Sequence, residues 1–387
     1  MAPIYLDHNA TTPLDPEVWE AMRPHWLAGG NPDSRHAAGR GARRALERAR
    51  ETVAALLNAH PDEVVFTSGG TEANNLAVFG LAGAGPGHLV SSPIEHPAVA
   101  EAVASLAGAG FAVDRPAVDA QGRADAALMA DAARPGTRLA ALMLANNETG
   151  AIQPVASMAA RLVERGVPVH TDAVQAVGRV PVDFRGLGVA TLAASGHKFH
   201  GPAGAGLLLV ARGVKLAPRL FGGGQQQGRR PGTPAVAAAV GLAVALGRWD
   251  AEAGARMARW SRLRDRLESA MVAALGPDRV ARNGPIDPAD RLPQTLNVGF
   301  PGLDGDALLM QLDLAGVAAS LGSACASGAS EPSPTLVAMN VPADRLRSSV
   351  RFSLGATTTE ADVDEAARRV IAVVERVALA GDPAGPP

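Results

Sequence analysis

Between residues 15 and 255 the chain alternates short β-type runs with stretches of helical periodicity, and this alternation restricts the fold more than any other feature. Helical spacing covers 17–26 and 42–58, the second with Ala45, Ala49, Val53, Leu56 and Leu57 on one face. Strand-like runs occupy 64–66, 88–91, 139–144, 167–171, 189–194 and 206–210. Helical stretches separate most of them, and strands joined that way pair in parallel between two layers of helices. The expectation is an α/β fold on a mainly parallel sheet, forming a large domain over 15–255. An alanine-rich helix with breaks over 235–275 leads out of it. Residues 1–14 and 256–387 are expected to form a smaller α/β domain, with strands at 295–300, 317–321 and 350–354 and a last helix over 360–378. The tail 381–387 reads as disordered.

Chemistry in such sheets gathers at the carboxyl ends of the strands. Ser195-Gly196-His197-Lys198-Phe199-His200-Gly201-Pro202 follows the run 189–194, so Lys198 is expected just past a strand end. A lysine becomes nucleophilic when its pKa falls from about 10.4, which a dry pocket achieves by disfavouring the ammonium form. Solvated loop lysines are commoner, so the neighbours decide. Gly69-Gly70-Thr71-Glu72 marks a strand-to-helix turn whose N–H groups favour an anion, although a plain N-cap threonine reads the same. Asp172, with Gln175 after it, Asn147 within Asn146-Asn147-Glu148-Thr149-Gly150, and His96 before Pro97 are further polar strand ends, each open to a bland capping or turn reading. At one sheet edge they would supply a phosphate cradle, a carboxylate for a ring nitrogen and a lysine for an aldehyde.

Composition closes off other classes. Lysine plus arginine (36) nearly balance aspartate plus glutamate (38), leaving a formal charge of −2 and no electrostatic footprint for nucleic acid or an anionic membrane. No apolar run is long enough to span a bilayer and the N-terminus lacks a signal-peptide pattern, so a cytoplasmic location is expected. No G-x-G-x-x-G follows the first strand and no Walker lysine is present, which leaves nucleotide binding unsupported. The single cysteine, Cys325, excludes a disulfide framework and a cysteine-cluster metal site. Most single cysteines are buried small hydrophobes, but Cys325 stands in a run of small residues, Gly322 to Ser330, that reads as a mobile loop.

The order of these motifs resembles the group I cysteine desulfurases of the NifS/IscS type, class-V aminotransferase relatives among the fold-type I pyridoxal-phosphate enzymes. The resemblance runs nearly end to end, from Tyr5-Leu6-Asp7-His8-Asn9-Ala10-Thr11-Thr12-Pro13 through Ser68-Gly69-Gly70-Thr71-Glu72-Ala73-Asn74-Asn75, His170-Thr171-Asp172-Ala173-Val174-Gln175 and Ser195-Gly196-His197-Lys198 to Gly322-Ser323-Ala324-Cys325 and Arg351-Phe352-Ser353. It implies a mainly parallel, seven-stranded-type sheet in the large, cofactor-binding domain, that Lys198 bonds the aldehyde of pyridoxal 5'-phosphate, and that Gly70, Thr71, Ser195 and His197 hold its phosphate. It further implies His96 stacked on the ring, Asp172 at the ring nitrogen, Gln175 at the phenolic oxygen, and Asn147 at the ring or the substrate carboxylate. Arg351 would clamp that carboxylate, and Thr233 would reach the phosphate of a partner subunit in a homodimer. The implied reaction converts L-cysteine to L-alanine, with Cys325 taking the sulfur as a persulfide for a sulfur-acceptor or scaffold protein, as in iron–sulfur cluster biosynthesis. His96 is the candidate base for the Cys325 thiol. No metal is implied.

The chain departs from the family pattern at Gln225-Gln226-Gln227, where an acidic residue is common, at Pro231, where serine is common, and at Leu321, where a small polar residue is common. The competing readings are a selenocysteine lyase or another class-V aminotransferase, which would need no role for Cys325, and a non-enzymatic scaffold.

Overall fold

Apolar runs without polar alternation fill strands that are covered on both faces. The structure, a computed structural model, describes residues 2–322 and 332–381; the expectations for Cys325 and for the tail from residue 382 lie outside the described residues. The chain opens with β1 (Ile4–Tyr5), α1 (Pro16–Leu27), α2 (Ala37–Leu56), β2 (Val64–Thr67) and α3 (Gly70–Ala82). It continues with β3 (His88–Ser91), α4 (Pro97–Gly108), β4 (Ala112–Asp114), α5 (Ala126–Asp131), β5 (Thr137–Ala141), α6 (Val155–Val163) and β6 (Val169–Asp172). Then come α7 (Phe184–Leu187), β7 (Thr191–Ser195), β8 (Gly206–Val210) and the long α8 (Val236–Leu275). The C-terminal part holds β9 (Ala281–Arg282), β10 (Thr295–Gly299), α9 (Gly305–Leu314), β11 (Val317–Ala318), α10 (Pro334–Ala338), α11 (Ala343–Leu346), β12 (Ser349–Ser353) and α12 (Glu360–Gly381).

Seven strands form the central sheet in the order β2-β8-β7-β6-β5-β3-β4. The strands from β3 to β7 pair in parallel, whereas β8 runs antiparallel to both β7 and β2. Every residue of β2, β3, β6, β7 and β8 is buried, the polar His170, Thr171 and Asp172 of β6 included. The sheet therefore has the expected sense and strand number. Strand β4 was not expected: Ala112-Val113-Asp114 lies at the sheet edge, partly exposed, and has no apolar run to announce it. A second, antiparallel sheet has the order β12-β10-β9, and β1 pairs in parallel with β11. The expected strand over 317–321 shrinks to the two residues of β11.

Helix α8 runs unbroken for 40 residues where breaks were expected. Its Gly241 is a crossing point rather than a hinge, because a Cβ there would run into the side chain of Met22 on α1. Arg248 of α8 pairs at 2.9 Å with Asp15, whose other oxygen caps α1 by accepting the Glu17 N–H at 2.8 Å.

Two local features position the site. After β1 the chain crosses from the smaller sheets to the end of β7: Leu6 N–H donates to Ala318 O at 3.0 Å, His8 N–H to Ser353 O at 3.3 Å, and Thr12 N–H to His197 O at 2.9 Å. At the outer edge of the central sheet, the Gln226 side chain accepts from Phe66 N–H at 2.7 Å and donates to Phe66 O at 2.8 Å. Gln225 donates to Asp33 at 3.0 Å and accepts the Gly232 N–H at 3.0 Å. The glutamine run that departs from the family pattern thus latches the loop between β8 and α8 onto the outer edge of β2.

Candidate active site

Each strand of a parallel sheet hands its last residue to the same edge, and the side chains that converge there come from five connections. The turn from β2 into α3 brings Gly70 and Thr71, and the residue that N-caps α4 is His96. Asn147 follows β5 in a turn held by Asn146 Oδ1, which accepts the N–H groups of Glu148 and Thr149, both at 2.9 Å. Strand β6 ends on Asp172 and β7 on Ser195, after which a single 3₁₀ turn, Gly196–Lys198, aims His197 and Lys198 inward. Gly70, Thr71, His96, Asn147, Asp172, Gln175, Ser195, His197 and Lys198 all line one cavity of about 250 Å³. Roomier clefts of about 410 and 520 Å³ lie beside Gln225 to Gln227 and between α2 and α8, but neither gathers such a set of groups.

Lys198 Nζ donates to the carbonyls of Asn9 and Ala10 at 2.7 and 2.8 Å, so the N-terminal crossing segment forms one wall around it. Asp172 accepts on both oxygens, from Val174 N–H at 2.9 Å and from Asn74 Nδ2 at 2.6 Å. Burial, reinforced by Lys198 and Arg179, pushes His197 down to about 4, so it is neutral at pH 7. His96 is also lowered, by burial first, with Asp172 opposing and Lys198 adding to the effect. Its Nδ1 accepts the Ala98 N–H at 3.1 Å, so the neutral ring carries its proton on Nε2. The expectation that His96 acts as base for the Cys325 thiol involves a residue outside the described residues.

Two expected residues lie off the cavity wall. Thr233 stands on the exposed loop between β8 and α8. Arg351, almost fully buried, points one guanidinium nitrogen at Asp7 at 2.6 Å and another at Asn147 O at 3.0 Å, while its Nε has no partner among the described residues. Several residues with a part in the site were not anticipated. Asn74 lines the cavity three positions after Thr71, a helical spacing visible in the sequence. Glu95 and Glu148 are buried carboxyls. Glu148 Oε2 accepts from Ser333 Oγ and stands 2.7 Å from where a Gly322 Cβ would be, so it touches both flanks of the segment that carries Cys325. The Asn9 and Ala10 carbonyls carry no side-chain signal at all.

The cavity's walls suit a phosphorylated pyridine aldehyde. A Cβ on Gly70 would come within 2.6 Å of Val174 Cγ2, so the bare backbone at the start of α3 keeps the anion-binding end open. Asp172 offers a buried carboxylate, and Gln175 Oε1 is a buried polar atom without a hydrogen-bond partner among the described residues, the mark of a wall shaped for a polar guest.

The sequence profile described as Aminotransferase class-V matches residues 4–366. The chain is 42% identical over 97% of its length to "Cysteine desulfurase" of Trichormus azollae, of which it covers 94%. It is 44% identical to the "IscS-like cysteine desulfurase" of Mycobacterium tuberculosis, with 97% and 98% of the two chains covered. Among solved structures, a "NIFS-LIKE PROTEIN" superposes with a TM-score of 0.89 at 33% identity, over 97% of this chain and all of that one.

Proposed function

We propose, from the premise that this chain belongs to the class-V aminotransferase family and is a cysteine desulfurase, that it converts L-cysteine to L-alanine in the Lys198 cavity and carries the sulfur away on Cys325. The observation that carries this reading is the convergence of an anion-binding helix start, a buried carboxylate and a lysine on one 250 Å³ cavity.

Pyridoxal 5'-phosphate is the cofactor that fits those groups. Gly70, Thr71, Ser195 and His197 would hold its phosphate, joined by Thr233 of a second copy in a homodimer; His96 would cover the ring face, Gln175 would meet its phenolic oxygen, Asp172 its ring nitrogen, and Lys198 its aldehyde. When bound, the cofactor supplies a sink for the electrons released at the substrate's carbons. Asn147 and Arg351 take the substrate carboxylate, which requires that carboxylate to replace Asp7 on the guanidinium. Lys198 Nζ moves the substrate's Cα proton. Cys325 Sγ, as thiolate, then bonds the substrate Sγ while the Cβ–Sγ bond breaks and its electron pair returns to carbon. Protonation of that carbon, with return of a proton to Cα by Lys198, releases L-alanine, and the persulfide left on Cys325 passes its outer sulfur to a sulfur-acceptor protein.

The test is an assay of the purified, cofactor-loaded protein with L-cysteine. Equal amounts of alanine and, under reducing conditions, sulfide are expected. Formation of a keto acid in place of alanine would mark an aminotransferase instead.

A further inference from the structure

Behind Asp172 runs a chain of buried side chains that the reaction as written does not use. Asn74 Nδ2 lies 2.6 Å from Asp172 Oδ2, Asn74 Oδ1 lies 3.0 Å from His170 Nε2, and His170 Nδ1 lies 2.9 Å from Thr191 Oγ1. Asn74, His170 and Thr191 are each at most 1% exposed. His170 stands two residues before Asp172 on β6, hence on the same face of the sheet, and is the cross-strand partner of Thr191 on β7.

The direction of every bond follows from one end. A carboxylate only accepts, so Asn74 turns its amide nitrogen to Asp172 and its oxygen to His170. His170 must then carry its proton on Nε2, which leaves Nδ1 to accept the Thr191 hydroxyl. Burial keeps the imidazole neutral, pushing it down to about 3, so no competing positive charge sits behind the carboxylate. No member of the chain can turn without breaking the next bond.

We propose that Asn74 and His170 are positioning residues that fix the Asp172 carboxylate for the cofactor's ring nitrogen, with Thr191 setting the histidine tautomer. This rests on the reading that Asp172 meets that nitrogen. Holoenzyme loaded with pyridoxal 5'-phosphate labelled with ¹⁵N in the ring reports ring protonation directly by NMR, and ¹⁵N-histidine labelling reports the His170 tautomer.

Wild type should show a protonated ring and an Nε2–H His170, and Asp172→Asn should lose the ring proton. Asn74→Leu and His170→Phe should shift the ring ¹⁵N signal toward neutral pyridine while keeping the reducible bond to Lys198. Their substrate α-hydrogen exchange should fall about tenfold, in line with other groups that orient a primary ligand. Thr191→Val should mix the His170 tautomers and Thr191→Ser restore them, a gentle pair that tests the outer link without emptying the core. A ring as fully protonated in Asn74→Leu and His170→Phe as in wild type, with Asp172→Asn deprotonated, overturns the positioning role and leaves Asp172 standing. A ring that stays protonated in Asp172→Asn instead removes the reading of Asp172 and this proposal with it.

Discussion

Glu95 is buried beside the cofactor cavity, with Oε1 accepting the Met143 N–H at 2.8 Å and Oε2 lacking a partner among the described residues. Burial, helped by the negative charge of Asp172, raises its pKa to about 8 against the pull of the Met143 N–H. The folded protein therefore keeps a proton that the unfolded chain releases above about 4.3. Between those values stability falls as pH rises, by up to about 1.4 kcal/mol per pH unit from this group. Glu95→Gln should gain in melting temperature over wild type as pH goes from 5 to 8; a gap that stays constant across that range would show that Glu95 ionises normally. Arg351→Lys should raise KM for L-cysteine about tenfold or more with a smaller change in kcat, since a point charge cannot match a carboxylate in the bidentate way. An unchanged KM would remove the clamp. The polar strand ends were legible in the sequence because each follows an apolar run. The Arg351–Asp7 pair was not, because its members are 344 positions apart, and the burial of Glu95 was hidden in a segment that reads as a polar turn.

Elements were legible where burial imposes a pattern and illegible where it does not. The inner strands, buried on both faces, announce themselves as apolar runs, whereas β1 and β9 are two residues long and β4 is a half-exposed edge. Helix α2 starts five residues before the expected point, because His36 caps it through the Gly39 N–H at 3.3 Å and no apolar face marks that first turn. Latching by Gln226 is equally invisible, since it depends on the loop folding back onto β2. Gln226→Ala leaves the N–H and C=O of Phe66 without their side-chain partner, at a cost of about 1–3 kcal/mol. The variant should melt earlier and be cut faster by protease in the loop around Thr233. A protease pattern identical to wild type would show that the latch does not hold that loop.

At the scale of the whole molecule, the segment from Leu6 to Thr12 ties the smaller sheets to the Lys198 cavity, so the two parts of the chain share one site. Its contacts, backbone and side-chain alike, reach positions far along the chain, which no local pattern encodes. The same loop that exposes Thr233 also exposes the large apolar side chain of Phe221, at 87%. In the proposed homodimer, Thr233→Glu opposes the partner's phosphate, while Lys198→Ala disables only its own site. Mixed dimers of these two inactive variants should regain activity at one site in each dimer, and no recovery on mixing would contradict completion of the site by the partner. Cofactor-loaded wild type given L-cysteine should yield alanine and a Cys325 peptide heavier by one sulfur atom, whereas Cys325→Ala should keep its colour and bind L-cysteine yet form neither product. If Cys325→Ala released alanine and sulfide at the wild-type rate under reducing conditions, Cys325 would be a bystander and the account would be wrong.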